Sequence, residues 1–286
     1  MTIAIIGGGI AGLCTAVALQ QRGFNAHVYE AASELKPAGK GIWLPTNAML
    51  VLDRLNLGDT VAAKGLALEQ IEIIDKQTGV LQRIDLKAVY KRFGRTTVSI
   101  LRSDLQASLV SALEADTLHL NKRVLRVVQQ AEGAIIQFED GEEVSADRVI
   151  GADGLRSRVR DAVIPDVPLR YAGQTCYLGI ANIALASDLV RTVQEFWGGQ
   201  ARFGYSAVSE TKVYWFAPIK APAHSPMPGD VFAALQSTYG GFLQSVLGII
   251  RNTVADYIVR VDYMILCPLN DGTKGGLCLL VTLFTP

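Results

Sequence analysis

The 286-residue chain is poor in cysteine and in charge, and each shortage argues against a class of protein. Its four cysteines form no Cys-x-x-Cys pair, so they have neither the density of a secreted disulfide scaffold nor the spacing of a zinc site. Only 19% of the residues are charged, and 27 basic residues balance 27 acidic ones, which argues against binding nucleic acid through bulk charge. The composition predicts a globular, cytoplasmic protein that holds no metal and binds no nucleic acid.

Long apolar segments and clusters of histidine are also missing. The first 19 residues are apolar, but they contain four glycines and no basic segment, so they predict neither a signal peptide nor a membrane span. No other segment has the roughly 18 uninterrupted apolar residues of a spanning helix. His27, His119 and His224 are isolated in sequence and form no Ser/His/Asp set. All three are therefore expected to be structural or exposed.

The first thirty residues have the pattern of a parallel β-α-β unit. Residues 3–6 are an apolar, β-prone run, apolar residues recur at helical spacing over 10–23, and residues 25–30 predict a second strand. A strand, a glycine turn, a helix and another strand in this order are typical of α/β proteins with a parallel sheet.

A glycine motif, Gly7-x-Gly9-x-x-Gly12, connects the first strand to the helix. Its glycines permit a tight turn, close approach of a pyrophosphate to the backbone, and packing of the helix on the strand. Glu30 ends the second strand, where its carboxylate can accept hydrogen bonds from a ribose diol. The motif predicts a dinucleotide site, disfavours a ribose 2′-phosphate there, and leaves FAD and NAD as alternatives.

Later segments predict a second, antiparallel region. Residues 67–86 have the pattern of a β-hairpin, and residues 171–219 that of strands rich in aromatic side chains. Between these two regions, Ser103 and Gln106 have the spacing of a capping box at the start of a helix. Residues 230–250 predict further helical segments.

The choice between FAD and NAD depends on the resemblance of three segments to a known family. Residues 39–52, 101–105 and 149–157, in this order, resemble motifs of the group A flavoprotein monooxygenases. This family includes para-hydroxybenzoate and salicylate hydroxylases and zeaxanthin epoxidase, and the resemblance extends over nearly the whole chain. It implies an α/β fold in which a GR2-type Rossmann FAD-binding domain is combined with a second, antiparallel-sheet substrate domain.

The resemblance also implies how the domains interleave along the chain. The implied boundaries are 1–66 and 96–170 for the FAD-binding domain, 67–95 for a hairpin of the substrate domain, 171–266 for the substrate domain itself, and 267–286 for the start of a C-terminal FAD-binding segment.

The family's cofactor contacts carry over to matching positions of this chain. The arginine matching Arg102 contacts the FAD phosphates or the residues around them, and the strand at Val124 lies by the adenine. The pair matching Asp153 and Gly154 is linked to binding of both the FAD and the NAD(P)H pyrophosphate. The predicted FAD-binding residues are Gly7, Gly9, Ala11, Gly12, Glu30, Ala31, Lys40, Gly41, Arg102, Val124, Asp153 and Gly154.

Two of these residues have a purely structural alternative. Arg102 could form a surface ion pair with Asp104. Asp153 could cap the helix that contains Arg156 and Arg158.

In this family the flavin is the reactive group, because NAD(P)H reduces it and it then captures O2 as a C4a-hydroperoxide. The resemblance implies NAD(P)H- and O2-dependent hydroxylation or epoxidation of a small apolar or aromatic compound, without identifying a catalytic residue. NAD(P)H is expected to act transiently, because only one complete dinucleotide motif is present.

Several relatives have an arginine in place of Leu178, which argues against an anionic, salicylate-like substrate. Candidate pocket residues, of which strand alternation lets about half face a ligand, are Tyr177, Phe196, Phe203, Tyr214, Trp215 and Phe216.

Two other functions remain open at this point. One is a flavin-dependent reductase or halogenase of the same fold, although Trp43, Trp197 and Trp215 do not form the W-x-W-x-I-P motif of halogenases. The other is a catalytically inactive, truncated fragment that binds nucleotide only.

The last residues suggest a reason for truncation. Relatives continue from a strand like residues 276–280 into Gly-Asp-Ala-Ala-His-Ala-Met, whose aspartate binds the ribityl chain of FAD, whereas this chain continues with residues 281–286. Loss of one base near the codon for Leu280 would convert a frame encoding Gly-Asp-Ala-Val-His-Ala-Met into these residues and a stop. The sequence thus predicts a frameshifted chain with impaired flavin binding and turnover.

Overall fold

The computed structural model describes residues 1–35, 40–164, 167–266, 273–274 and 277–279. The truncation and frameshift hypotheses concern residues 280–286, which lie outside the described residues. The same holds for Gly39, where the first family motif begins.

The chain divides into two compact units, each of which is formed by separate segments. One unit comprises Met1–Lys36, Gln106–Arg170 and Met264–Pro286, and the other comprises Pro37–Leu105 and Tyr171–Tyr263. The domain boundaries implied by the resemblance stay a prediction.

Helices and strands are interspersed in the first half of the chain, and strands dominate the second half. The helices are α1 (Ile10–Gln20), α2 (Thr46–Arg54), α3 (Gly58–Ala62), α4 (Leu86–Phe93), α5 (Arg102–Val110), α6 (Arg158–Val163), α7 (Val231–Tyr239) and α8 (Gln244–Arg251). The strands are β1 (Thr2–Ile6), β2 (Asn25–Tyr29), β3 (Gly41–Leu44), β4 (Leu66–Ala67), β5 (Gln70–Asp75), β6 (Gly79–Asp85), β7 (Val98–Leu101), β8 (Leu118–His119), β9 (Val124–Gln129), β10 (Ala134–Phe138), β11 (Glu143–Ala146), β12 (Arg148–Gly151), β13 (Leu169–Asn182), β14 (Thr192–Gly198), β15 (Ala201–Ala207), β16 (Lys212–Lys220), β17 (Val259–Leu266), β18 (Thr273–Lys274) and β19 (Leu277–Leu279).

The first unit is built on a mainly parallel sheet of order β18-β19-β12-β1-β2-β8. Its central strands are buried because helix α1 packs against β1 and β2, while Ile6 and Val149 join a core shared with the β9-β10-β11 sheet and α6. Burial on both faces explains why residues 3–6 of β1 are an uninterrupted apolar run. The carboxyl ends of β1 and β2 then meet at one edge, where the glycine turn and Glu30 follow.

The second unit is built on a seven-stranded sheet of order β17-β13-β16-β15-β14-β5-β6. Neighbouring strands from β13 through β16 are antiparallel, whereas β14 and β5 are parallel. One face of this sheet packs on α7 and α8, with Trp215 and Phe203 among its fully buried residues. A small antiparallel sheet, β3-β7-β4, belongs to the same unit.

The structure confirms the predicted combination of a parallel α/β sheet with separate antiparallel sheets. It also contains an element that was not predicted, α4, whose start is capped by the carboxylate of Asp85 and which is followed by Gly94 in the left-handed conformation. The capping-box prediction is wrong, because α5 begins at Arg102 and the Gln106 side chain donates to the carbonyl of Gly8 instead. Among the described helices, none is long and apolar enough to cross a membrane.

Candidate functional site

The glycine turn between β1 and α1 leaves no room for a side chain at Gly7 or Gly12, where it packs against other parts of the chain. Gly7 has a φ of +108°, and a Cβ built on it would lie 2.4 Å from the carbonyl oxygen of Ala152. A Cβ on Gly12 would lie 2.0 Å from the carbonyl oxygen of Gly7. Gly9 differs, because no atom lies within 4 Å of its Cβ position. The turn is therefore closed where it packs on the protein and open at Gly9, where a ligand can approach the backbone.

Glu30 directly follows β2 and is bound to the glycine turn. Its Oε2 accepts a hydrogen bond from the Gly8 N–H at 2.6 Å, and its Oε1 accepts one from the Ala32 N–H at 2.9 Å. Each carboxylate oxygen has further acceptor capacity, so a ribose diol can bind without displacing either amide.

Glu30 lines a cavity of about 690 Å³ within the first unit. This volume lies within the range of about 300 to 1,000 Å³ that small-molecule pockets occupy. Part of the wall is apolar or aromatic, as an adenine base requires. The cavity is lined by Ile6, Gly7, Tyr29, Glu30, Ala31, Lys122, Arg123, Val124, Glu139, Asp153, Arg156, Arg158, Arg160, Asp161, Val167 and Leu169.

The structure thus brings together five of the predicted cofactor residues around this cavity. They are Gly7, Glu30, Ala31, Val124 and Asp153. Of the others in the same unit, Gly9, Ala11 and Gly12 belong to the turn and to α1, while Gly154 begins a short 3-10 turn with a φ of +76°.

Ser157, not Asp153, is the N-cap of α6, but Asp153 supports this cap and also lines the cavity. Its Oδ2 accepts the Arg158 N–H at 2.7 Å, at the start of α6. The Ser157 hydroxyl donates to its Oδ1 and in turn accepts the Arg160 N–H. The carboxylate therefore shapes the cavity wall by fixing the first turn of α6.

Arg160 is a cavity residue that was not predicted. Its guanidinium donates from one terminal nitrogen to the Leu155 carbonyl at 2.7 Å, and it lies 3.5 Å from Asp161. Its Nε is buried, and it has no hydrogen-bond partner within the described part of the chain. A buried, incompletely bonded cation in the wall fits a ligand that carries phosphate. The first unit therefore fits the nucleotide half of a dinucleotide cofactor.

Lys40, Gly41 and Arg102 belong to the second unit. The Arg102 N–H donates to the Lys40 carbonyl at 2.9 Å, which places two cationic residues next to each other. Burial and the charge of Arg102 both lower the pKa of Lys40. A bound anion next to Lys40 would offset both effects on its pKa.

The aromatic pocket candidates divide between the two faces of the seven-stranded sheet. Four of them pack in the core beneath α7 and α8, namely Tyr177, Phe196, Phe203 and Trp215. Tyr214 and Phe216 lie on the opposite face, which we call the β3 face because Trp43 of β3 packs edge-on against both rings. Tyr177 and Phe203 therefore face the core, and of the six candidates only Tyr214 and Phe216 can face a ligand on the β3 face.

The β3 face also has a polar chain that was not predicted. Trp43 Nε1 donates to the Ser206 hydroxyl at 2.7 Å, and that hydroxyl lies 2.8 Å from the hydroxyl of Ser99. Both serines are fully buried. Leu178 pairs with Phe216 across β13 and β16, which keeps this part of the face apolar. Isolated serines in strands give no sequence signal for such a network, because it joins residues 107 positions apart.

Two histidines that are isolated in sequence are in contact in the structure. Nδ1 of His27 lies 3.1 Å from Nε2 of His119, and the ring of His119 stacks on Tyr29, which lines the cavity. Burial, followed by the proximity of His27, lowers the pKa of His119. Within the described residues, no group of three or more His, Cys, Asp or Glu side chains could hold a metal ion.

Comparison with known proteins identifies the family. Residues 1–228 match the family model described as "FAD binding domain". The chain is 30% identical to the aurachin C monooxygenase/isomerase of Stigmatella aurantiaca over 98% of its own length and 73% of that protein. It is also 30% identical to the FAD-dependent urate hydroxylase of Klebsiella pneumoniae, over 98% of its own length and 74% of that protein.

A solved structure supports the same assignment. Klebsiella pneumoniae HpxO complexed with FAD and uric acid superposes with a TM-score of 0.89 and is 28% identical, over 98% of this chain and 72% of that one. These relatives match the monooxygenase prediction rather than the halogenase, reductase or inactive alternatives. The glycine turn, the cavity at Glu30 and these similarities together show that the chain belongs to the FAD-binding-domain family of FAD-dependent monooxygenases.

Proposed function

We propose that this protein uses NAD(P)H and O2 to hydroxylate or epoxidise a small aromatic or nitrogen-heterocyclic compound. For a hydroxylation, the substrate, NAD(P)H, a proton and O2 yield the hydroxylated product, NAD(P)+ and water. Bound FAD would supply the redox chemistry, accepting electrons from NAD(P)H and transferring one oxygen atom of O2 to the substrate. The observation that carries the proposal is the glycine turn with Glu30 and its cavity, in a chain of this family.

The residues of the first unit would bind the cofactor and would not react themselves. Gly9 would let the diphosphate approach the backbone at the start of α1, where free N–H groups favour negative charge. Glu30 would accept hydrogen bonds from the ribose, and Val124 would lie against the adenine. Asp153 and Gly154, and in the second unit Lys40, Gly41 and Arg102, remain candidates for contacts with phosphate groups.

The β3 face of the second unit would bind the substrate. Tyr214 and Phe216 supply flat apolar surfaces, and Trp43 fixes both rings from one side. The buried serine chain fixes the indole of Trp43 through its N–H. Burial raises the pKa of Tyr214, so its phenol stays protonated at neutral pH and can donate a hydrogen bond to a substrate oxygen or nitrogen.

A screen of ring compounds tests this proposal. The purified protein, reconstituted with FAD, is mixed with NADH or NADPH and with hydroxylated benzoates, quinolones and purines, and the oxidation of the nicotinamide is followed by absorbance. We expect one compound class to stimulate oxidation and to be converted to a product heavier by one oxygen. Oxidation that no ring compound accelerates, in a protein saturated with FAD, would contradict the proposal.

A further inference from the structure

Gln106 makes a hydrogen bond that α5 itself does not require. The side chain is buried, and its Nε2 donates to the carbonyl oxygen of Gly8 at 2.8 Å, across 98 positions of sequence. Gly8 is the residue between the first two glycines of the cofactor motif. A side chain of α5 thus holds the backbone of the glycine turn directly.

Gly8 is held from both sides of its backbone. Its N–H donates to Glu30 Oε2 at 2.6 Å, while its carbonyl accepts from Gln106. The preceding residue is fixed as well, since the Gly7 N–H donates to the Tyr29 carbonyl at 2.8 Å. Gly7, Gly8 and Gly9 are consecutive, and glycine is the residue with the greatest conformational freedom. A run of three glycines needs such external bonds to keep one conformation.

The bond at Gly8 sets the direction of the next amide. The Gly8 carbonyl and the Gly9 N–H belong to one planar trans peptide, in which the two groups point in opposite directions. Gly9 immediately precedes α1 and is the open position of the turn. We propose that Gln106 is a positioning residue for FAD, which holds the Gly8 carbonyl and thereby aims the Gly9 N–H at the cofactor diphosphate.

The expected benefit is preorganisation. A turn that already has its bound conformation loses less entropy when the cofactor binds, so affinity is higher. Without Gln106 the Gly8 carbonyl loses its partner, and the Gly8–Gly9 peptide can rotate away from the productive direction. The inference rests on the assignment of this turn to FAD and requires no assumption about the substrate or the reaction.

The test compares FAD affinity in three variants of the cofactor-free protein. Gln106→Met keeps the length of the side chain but removes the donor. Gln20→Met is the matched control, because Gln20 is also buried in the first unit and donates from Nε2 to the Ala26 carbonyl at 2.8 Å, but does not contact the turn. Gln106→Glu provides a donor only while its carboxyl group is protonated.

The FAD Kd is measured by titration, with quenching of the flavin fluorescence as the signal. For Gln106→Met it should be about tenfold higher than for the wild type, as expected when a buried polar group loses its hydrogen bond. Gln20→Met should bind FAD like the wild type, whatever its stability. For Gln106→Glu, the ratio of its Kd to the wild-type Kd should rise with pH over about pH 4 to 8, because burial raises the pKa of this carboxyl above its ordinary value of about 4.3 and ionisation then removes the donor. The same ratio should be constant for Gln106→Met.

Hydrogen exchange of the cofactor-free proteins adds a readout that does not depend on FAD. In Gln106→Met the amides of the glycine turn should exchange faster, while those of β10 should exchange as in the wild type. If Gln106→Met does not fold, the pH dependence of Gln106→Glu decides alone.

Several results would overturn the inference. They are a Kd of Gln106→Met within about twofold of wild type, an equal loss of affinity in Gln20→Met, a ratio for Gln106→Glu that does not rise with pH, or a wild-type protein that takes up no FAD. The proposed function can fail separately. A protein whose FAD affinity depends on Gln106, but which oxidises no ring compound, would contradict the function and support the positioning role.

Discussion

Both carboxylate oxygens of Glu30 accept backbone N–H groups, one from Gly8 and one from Ala32. The residue therefore has two tasks, since it holds the glycine turn in place and presents its remaining acceptor capacity to the cavity. Only the ribose contact is predictable from sequence, because a position at the end of the second strand is typical of dinucleotide sites. The bond to Gly8 depends on the three-dimensional approach of the turn.

Replacing Glu30 by alanine should weaken FAD or ADP binding by about 1 to 3 kcal/mol, because a charged acceptor is lost and the Gly8 N–H loses its partner. Isothermal titration calorimetry on the cofactor-free protein measures this change. Glu132→Ala is the matched control, because Glu132 is exposed in the same unit and does not line the cavity. Unchanged affinity in Glu30→Ala would remove this residue from the site.

The two faces of the seven-stranded sheet should respond differently to removal of an aromatic ring. Phe216→Ala on the β3 face should raise the KM for the aromatic substrate and leave the FAD Kd unchanged. Phe203→Ala, which empties the core between Trp215 and Tyr239, should reduce the free energy of unfolding by about 3 to 5 kcal/mol. Steady-state kinetics and urea denaturation measure the two effects. Equal changes of KM in both variants would show that the β3 face has no special role.

Strand alternation predicts that neighbouring aromatic residues point to opposite faces, but not which face is covered. The helices that cover Phe203 and Trp215 follow the strands in sequence, and the strand that packs on Tyr214 and Phe216 precedes them by more than a hundred positions. Pocket residues could therefore be narrowed to about half of the candidates from sequence alone.

Two glycines of the turn between β1 and α1 are needed for different reasons. Gly12 is needed for the packing of the fold, whereas Gly9 leaves room for a ligand. Gly9 has an extended backbone, with a φ of −72°, and open space at its Cβ position. Gly9→Ala should therefore keep the stability of the cofactor-free protein and lower FAD affinity, because the added methyl group occupies the path of the diphosphate. Gly12→Ala should lower both, since its Cβ meets the Gly7 carbonyl. Thermal denaturation and FAD titration separate the two, and wild-type affinity in Gly9→Ala would place the cofactor elsewhere.

The contact between β2 and β8 predicts a pH dependence of stability. His119 has a lowered pKa in the folded protein, because burial and the nearby His27 disfavour the charged ring. As pH falls through the ordinary histidine value of about 6.5, the unfolded chain binds the proton first, so the free energy of unfolding decreases. The contribution of neutral His119 to the free energy of unfolding is therefore complete above about pH 6.5 and is lost as the pH falls below it.

His119→Gln removes the titrating group and should make the free energy of unfolding less dependent on pH between about pH 7 and 5. Urea denaturation at a series of pH values measures the slope. His224→Asn is the control, because His224 is exposed and belongs to the other unit. A wild-type slope in His119→Gln would show that another group causes the dependence.

Elements with strong local signals are predictable, and elements defined by distant contacts are not. The β1-α1-β2 unit follows from its apolar periodicity and its glycines. Helix α4 was missed because it is short and buries only Leu86, although Asp85 and Gly94 mark its two ends. The capping box predicted at Ser103 and Gln106 is the opposite case, a local signal without the predicted structure. The side chain of Gln106 binds the carbonyl of Gly8, which is distant in sequence, instead of capping the helix.

At the scale of the whole molecule, the order of three family motifs predicts the fold class correctly, because each motif marks a turn or helix start that the fold requires. The sequence does not predict which strands become neighbours. In the second unit, β14 pairs with β5 in parallel although paired positions such as Ile71 and Val193 are about 120 residues apart, and that unit also includes the β3-β7-β4 sheet. Such pairings depend on the assembled core and have no local signature.

The central claim is that this chain is an FAD-dependent monooxygenase acting on an aromatic compound, and oxygen-isotope labelling tests it most directly. The FAD-reconstituted protein is incubated with NAD(P)H and the ring compound that best stimulates NAD(P)H oxidation, under oxygen-18 gas, and the product is analysed by mass spectrometry. The account predicts a product that contains a single labelled oxygen atom, formed in proportion to the NAD(P)H consumed and absent without FAD. NAD(P)H oxidation that yields only hydrogen peroxide, or a product whose oxygen comes from water, would contradict it.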